Sequence, residues 1–421
     1  MLRRTVVRLW RIEPAWPISL GLVASSFSGH WARLGIPGPL DRALLLGGLV
    51  LAFLRAGSSP DLPPIRWRRL HLLLATVIFF AIVSAFWVGS IDVSSARFGI
   101  VDRLGLIPFV AFIAAPTVFH TAHQRRILLG VLVVFGAYLG FTAVAEAVNA
   151  NALVWPRYIL DQSVGIHFGR SRGPFVEAAS NGLGLILCGT AAAVALGVWR
   201  DRAARSAAWA IIGLCAAGAL LTYTRQVWLG AGMGAIAAMA VFPPLRWRLI
   251  PTTAVAVAGL AIALTLLPGL QEDLSDRLSE AKPAWARRNT NAAAVLMITE
   301  KPALGWGWGS FRTYGSDHFR TLVDIPYRGQ TQEVHNVFLA RFVDLGLIGG
   351  GLWLIAVFLA VGGALRHAFH DDLEIWRRGF VVIVVGCLAG AMLAPFTSVI
   401  GPLALWLWAG LLTRDRGAEL A

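Results

Sequence analysis

Apolar and polar residues alternate along this chain in long blocks rather than with the short periods of a soluble fold. Apolar runs lie near 15–34, 40–54, 70–89, 99–119, 127–147, 180–199, 207–222, 226–242, 250–268, 345–365, 379–396 and 401–413. A membrane-spanning helix needs about 20 predominantly apolar residues, so these runs have spanning or near-spanning length. The first is broken by Pro17 and His30, and the last is short. The pattern predicts an all-α polytopic membrane protein of about twelve transmembrane helices. A bundle of about nine helices fills residues 1–268, a long polar segment follows at 269–344, and further helices complete 345–421.

Arginines give this pattern a direction. With the N-terminus inside, every second connection holds a cluster: Arg55/Arg66/Arg68/Arg69, Arg125/Arg126, Arg200/Arg202/Arg205, Arg246/Arg248, Arg366/Arg377/Arg378 and Arg414/Arg416. Positive residues in short loops mark the cytoplasmic side. Both termini are therefore expected inside. Composition agrees: hydrophobic residues make up 57% of the chain and charged ones only 14%, against roughly 25% charged in soluble domains. Arg3, Arg4, Arg8 and Arg11 open the sequence, but Glu13, Pro14 and Pro17 interrupt the apolar stretch that a cleavable signal requires. The cysteines, Cys188, Cys215 and Cys387, sit inside apolar runs, which argues for packing rather than a disulfide framework. Nothing in the pattern suggests a nucleic-acid partner.

Candidate chemistry gathers on the outward side. Residues 148–179 contain Arg157, Arg170 and Arg172, and the long segment contains Arg277, Lys282, Arg287, Arg288, Lys301, Arg312, Arg320 and Arg328. Long loops escape the charge-orientation rule, so these cations do not contradict the topology. Arg225 lies between two apolar runs with almost no loop, in Leu221-Thr-Tyr-Thr-Arg225-Gln-Val-Trp228. Its planar fork of donors suits bidentate phosphate binding. The long segment closes on His335-Asn336, with Glu333 two residues earlier. A titratable imidazole at the membrane boundary, beside a basic loop, points to chemistry on a lipid-linked anionic substrate. Ala292 to Ile298 is apolar on nearly every side and is expected to form a helix against the outer leaflet. The Gly305-Trp-Gly307-Trp-Gly309 run is expected to form a turn with tryptophans at the headgroup level.

The stretch His335-Asn336 followed by Asp344-Leu-Gly346-Leu-Ile-Gly349 resembles the signature of the bacterial O-antigen ligase/polymerase family. Three further segments share the resemblance, which extends over most of the C-terminal half. Arg225 follows a short Thr-rich stretch at the outer end of a span. Arg287 precedes Pro302-Ala-Leu-Gly305-Trp-Gly307 and Phe311, with Asn291 where a tryptophan is usual, which leaves Arg287 and Arg288 as alternative counterparts. Arg172-Gly-Pro-Phe175 leads to Asn181, with the usual Asn-Pro loosened, and Asp344 stands where Glu is usual.

This resemblance implies a GT-C-like architecture and an enzyme of the bacterial inner membrane, active at the periplasmic face. It implies a donor glycan on undecaprenyl pyrophosphate and an acceptor sugar hydroxyl, on the lipid A core for a ligase or on a growing glycan for a polymerase. No cofactor and no metal are implied. Arg225 and Arg287 are then candidates to stabilise charge on the pyrophosphate leaving group, with Arg288 and Arg172 in support. His335 is the candidate base, Asn336 would orient it or the acceptor, and Glu333 is a rival base. Residues alone leave a secondary transporter as another class, with Asp102-Arg103 and Glu146 as ionisable groups near span ends. The clustering of the other charges at one face favours the enzyme.

Overall fold

The computed structural model describes residues 12–58, 62–242, 247, 282–319, 333–366, 372–395 and 397–413. The expected span at 250–268, the arginines at 246, 248, 277, 320 and 328, and both chain ends lie outside these residues. Among the described residues the fold is all-helical. In chain order the helices are α1 (Ala15–Ala24), α2 (Leu40–Arg55), α3 (Arg69–Trp87), α4 (Ser94–Phe98), α5 (Leu106–Val118), α6 (Ala122–Ala147), α7 (Ala178–Val198) and α8 (Arg202–Leu221). After them come α9 (Arg225–Val241), α10 (Lys282–Glu300), α11 (Phe311–Tyr314), α12 (Val337–Leu365), α13 (Glu374–Leu393) and α14 (Ile400–Leu412). A π-helical turn, Gly99–Leu104, joins α4 to α5.

Every expected apolar run except 250–268 thus carries a helix. Among the described residues seven helical stretches are long and apolar enough to cross a membrane, and Ala15–Phe27 and Ile400–Leu412 are shorter apolar ones. In lipid each helix must satisfy its own backbone, which is why runs of this composition fold as helices. Close approach through small residues holds them together. A Cβ on Gly410 of α14 would lie 2.3 Å from the Phe112 carbonyl oxygen of α5, so these backbones touch. Strong packing also joins α9 to α13, α7 to α8 and α6, and α3 to α12. Many large apolar side chains point outward, among them Phe79 and Phe86 of α3 and Phe358 of α12, as expected where lipid is the solvent.

The two ends of the bundle are distinct. At one end Arg55 donates to the Ile12 carbonyl (2.9 Å) and Arg68 to the Thr413 carbonyl (2.6 Å), and Arg125 pairs with Asp372. The other end collects the turns after α1, α3, α6, α8 and α13: Arg33 meets Asp161 at 3.3 Å, Ser90 donates to the Trp308 carbonyl at 2.6 Å, and Ser180 meets Thr397 at 3.1 Å. Arg55, Arg68 and Arg125, from two of the arginine clusters, thus share one end of the bundle. Reporter fusions after Arg205 and Arg248 are expected to read cytoplasmic and a fusion after Gln330 periplasmic. A cytoplasmic signal at Gln330 would reverse the sidedness.

One break in the helices is functional in placement. Helix α12 starts before its apolar run and is interrupted at Gly346, with φ 64° and ψ −169°, a region open essentially to glycine alone. The Pro302–Gly307 segment fills the break. Trp306 and Gly307 donate their amides to the Val343 and Asp344 carbonyls at 2.9 and 3.1 Å. Leu347 and Ile348 in turn donate to the Pro302 and Ala303 carbonyls at 2.7 and 3.2 Å. The two glycine-rich motifs of the sequence are thus one interlocked unit, each satisfying backbone groups that the other leaves open. A Cβ at Gly346 would lie 2.3 Å from the Ala303 oxygen. Gly346→Ala is therefore expected to lower the detergent Tm or the membrane abundance sharply. Gly351→Ala, whose Cβ meets nothing within 4 Å, should change neither.

Candidate active site

Three candidate residues far apart in sequence come together at the end of the bundle that holds the longer turns. Arg225 opens α9 after the turn Thr222–Thr224, which contains Tyr223 at φ 45°. Trp228 ties the new helix back by donating its indole N–H to the Leu220 carbonyl at 2.9 Å. The guanidinium is therefore presented at a helix N-terminus, where partial positive charge already favours anions. Arg287 sits half-buried on α10, and burial together with the nearby Arg225 cation lowers its pKa. Arg288 is exposed. Of the two alternatives, Arg287 is the one electrostatically coupled to both Arg225 and His335.

His335 is partly buried just before α12. Burial lowers its pKa below the ordinary imidazole value, the Arg287 guanidinium adds to this, and Glu333 opposes it. Its Nδ1 lies 3.2 Å from the Thr290 hydroxyl, and that hydroxyl donates to the Arg287 carbonyl at 3.1 Å. A threonine has a single hydroxyl proton. With that proton on the Arg287 carbonyl, the oxygen accepts from Nδ1–H, and the basic lone pair of neutral His335 rests on Nε2. Thr290 is 1% exposed, so this arrangement is set by the protein rather than by water.

The remaining candidates hold other positions. Glu333 is gripped by Arg103 at 3.2 Å and by Arg312. Burial would raise its pKa, but the two cations outweigh that and the net shift is downward. It lines a cavity of about 280 Å³ together with Arg103, Arg312, Tyr314 and the Arg341–Asp344 pair. Asn336 is the N-cap of α12: its side-chain oxygen accepts from the Phe338 and Leu339 amides at 2.9 and 3.1 Å. Arg172 is 1% exposed, and its guanidinium is consumed by the Ile159, Asp161 and Val164 carbonyls at 2.6–3.1 Å. It holds the 157–176 loop in shape.

The apolar 292–298 stretch forms part of the longer α10: Ala293, Ala294 and Met297 bury against Phe311, Val334 and Val343, while Val295 and Leu296 stay exposed on the other face. One expectation is corrected, because the tryptophans of the glycine-rich run are held by protein contacts: Trp308 is 3% exposed and donates to the Ala96 carbonyl at 2.9 Å, and Trp306 donates to the Met297 carbonyl at 2.8 Å. Left-handed backbone at Gly305, Gly307 and Gly309 turns both rings inward. Thr290 was not singled out from sequence, and Arg103 and Arg312 were named there only as charges, without a partner. Only the spacing of Thr290, three residues beyond Arg287 on one helix, offered a signal.

Residues 210–354 match the family model described as O-antigen ligase. The match supports a likeness to O-antigen ligases over this region of the chain. The matched region runs from α8 into α12 and contains Arg225, Arg287, Thr290 and His335, and leaves Arg103 and Arg172 outside it. No curated protein matches the chain.

Proposed function

We propose that this chain transfers a glycan from undecaprenyl pyrophosphate to a sugar hydroxyl of the lipid A core, at the periplasmic face of the bacterial inner membrane. The observation that supports it most is the convergence of Arg225, Arg287 and His335, with Thr290 fixing the imidazole. In this reading Nε2 of His335 accepts the proton of the attacking hydroxyl. The hydroxyl oxygen bonds to the anomeric carbon as the bond from that carbon to the pyrophosphate oxygen breaks. Undecaprenyl pyrophosphate leaves with the bonding pair, and Arg225 and Arg287 stabilise the charge it gains. Arg288, exposed beside them, extends the cationic surface on which the diphosphate arrives. Arg172 and Asn336 act by shaping the loop and helix that carry the site.

Glu333 is the weaker base, because two guanidinium groups stabilise its charged form and lower its proton affinity. The neutral-leaning His335 is available at pH 7 without prior deprotonation.

The test is the glycan profile of a deletion strain. Long polymer accumulating on undecaprenyl pyrophosphate, with bare core at the surface, is the expected result. Surface core bearing a single repeat unit would instead make the chain a polymerase. An unchanged profile would remove it from glycan assembly.

A further inference from the structure

A cavity of about 510 Å³ lies beside the site, between the turn after α1, the π-helical turn, the start of α7 and the 397–399 turn. Its size falls in the range of about 300–1,000 Å³ typical of ligand pockets. The proposed reaction as argued above makes no use of it.

The lining is rich in hydroxyls and balanced in charge. Ser26, Ser28, Ser180, Thr397 and Ser398 line it. Arg42 is answered by Asp41 and Asp102 and donates to Ser28 at 2.6 Å. Arg103, which also lines it, is answered by Glu333. Glu177 accepts from Ser180 at 2.7 Å and from Thr397. Both cations of the described lining are committed to carboxylates, which disfavours a diphosphate, and an acyl chain would leave its buried hydroxyl and carboxylate oxygens unsatisfied. Two buried side chains of the lining keep an oxygen with no partner among the described residues, Ser26 Oγ and Asp102 Oδ1; the residues are 2% and 3% exposed. Buried polar atoms of this kind are normally satisfied. Phe98, with the Arg42 guanidinium 5.5 Å from its ring centre, and Phe175 add apolar faces. Acceptor and donor oxygens in pairs beside flat apolar rings are the chemistry that recognises a sugar ring, with its hydroxyl edge and C–H face.

Position points the same way. The Ser180–Thr397 wall also borders Gln226, the neighbour of Arg225. The Arg103 wall is shared with the cavity that holds Glu333, two residues from His335. The pocket is therefore bracketed by the diphosphate side and the base side of the site.

We infer that this pocket binds a saccharide unit of the glycan substrate, with Asp102, Glu177 and the serines accepting and donating to its hydroxyls. The assignment rests on the glycosyl-transfer reading for its source, which is either the donor or the acceptor glycan. It is tested on the full chain in lipid nanodiscs, with oligosaccharide released by mild acid from the surface glycolipid of the encoding strain as probe. Saturation-transfer NMR is expected to show binding to the wild type. Ser398→Phe and Ala32→Phe, which fill the pocket from two sides, should each weaken binding by about tenfold or more. Undecaprenyl pyrophosphate binding should be unchanged in both variants. In the transfer assay the filled variants should raise KM for one glycan with kcat retained, and the glycan whose KM moves is the pocket's source. Saccharide binding that survives both phenylalanines, or is absent from the wild type, overturns the assignment. Binding without any transfer would count against the glycosyltransferase reading alone.

Discussion

His335→Ala is expected to cut glycan transfer by about 10²–10⁴-fold, the usual contribution of a general base, with membrane abundance intact. The side chain is only partly buried, just before α12, so the variant should fold. The pH profile separates this role from a structural one. Burial and Arg287 hold the imidazole below its ordinary value of about 6.5. The unprotonated form is the active base, so log kcat/KM should rise with pH along an acid limb whose midpoint lies below that ordinary value, and then level off. Arg287→Gln removes one of the two lowering causes, and the acid limb should move to higher pH in the activity that remains. Thr290→Val deletes the Nδ1 partner without changing side-chain shape. It should lower kcat by about tenfold, because the tautomer with its proton on Nε2 then competes. Near-normal transfer by His335→Ala would return the base role to Glu333.

The helices were legible because each must present an apolar exterior over its whole length, and a span-length run such as 127–147 has no soluble alternative. Arg68 and Arg125, from two of the sequence's arginine clusters, share one end of the bundle, as their alternation along the chain suggested. Convergence was not legible. Arg103 and Glu333 lie 230 positions apart, and no period or spacing encodes a contact across that distance. The break in α12 was hidden as well: Gly346 reads as one small residue among several in an apolar run. Only the partner segment at Pro302–Gly307 shows that it is a helix interruption. Asn336 and Arg172 show the converse: both carry chemistry suited to a substrate, yet the amides of α12 occupy the Asn336 side-chain oxygen and the carbonyls of the 157–176 loop the Arg172 guanidinium. Sequence gives donor and acceptor inventories, and the fold decides which of them are already spent.

Arg225→Lys and Arg287→Lys are each expected to be nearly as damaging as the alanine variants. A lysine keeps the charge but replaces a planar fork by a point cation, so it preserves field and loses bidentate geometry. Geometry is the more demanding requirement here. Burial lowers the pKa of Arg287, and the nearby Arg225 cation adds to that. A diphosphate lying across the two guanidinium groups would offset their repulsion. The double substitution Arg225→Gln/Arg287→Gln should abolish transfer without lowering the Tm. Single variants should fall together in kcat and kcat/KM, as expected where an interaction forms chiefly in the transition state. Full rescue by lysine at both positions would mean that the pair supplies only field, and a loss of Tm in the double variant would mean that the arginines hold the bundle together instead of waiting for a diphosphate.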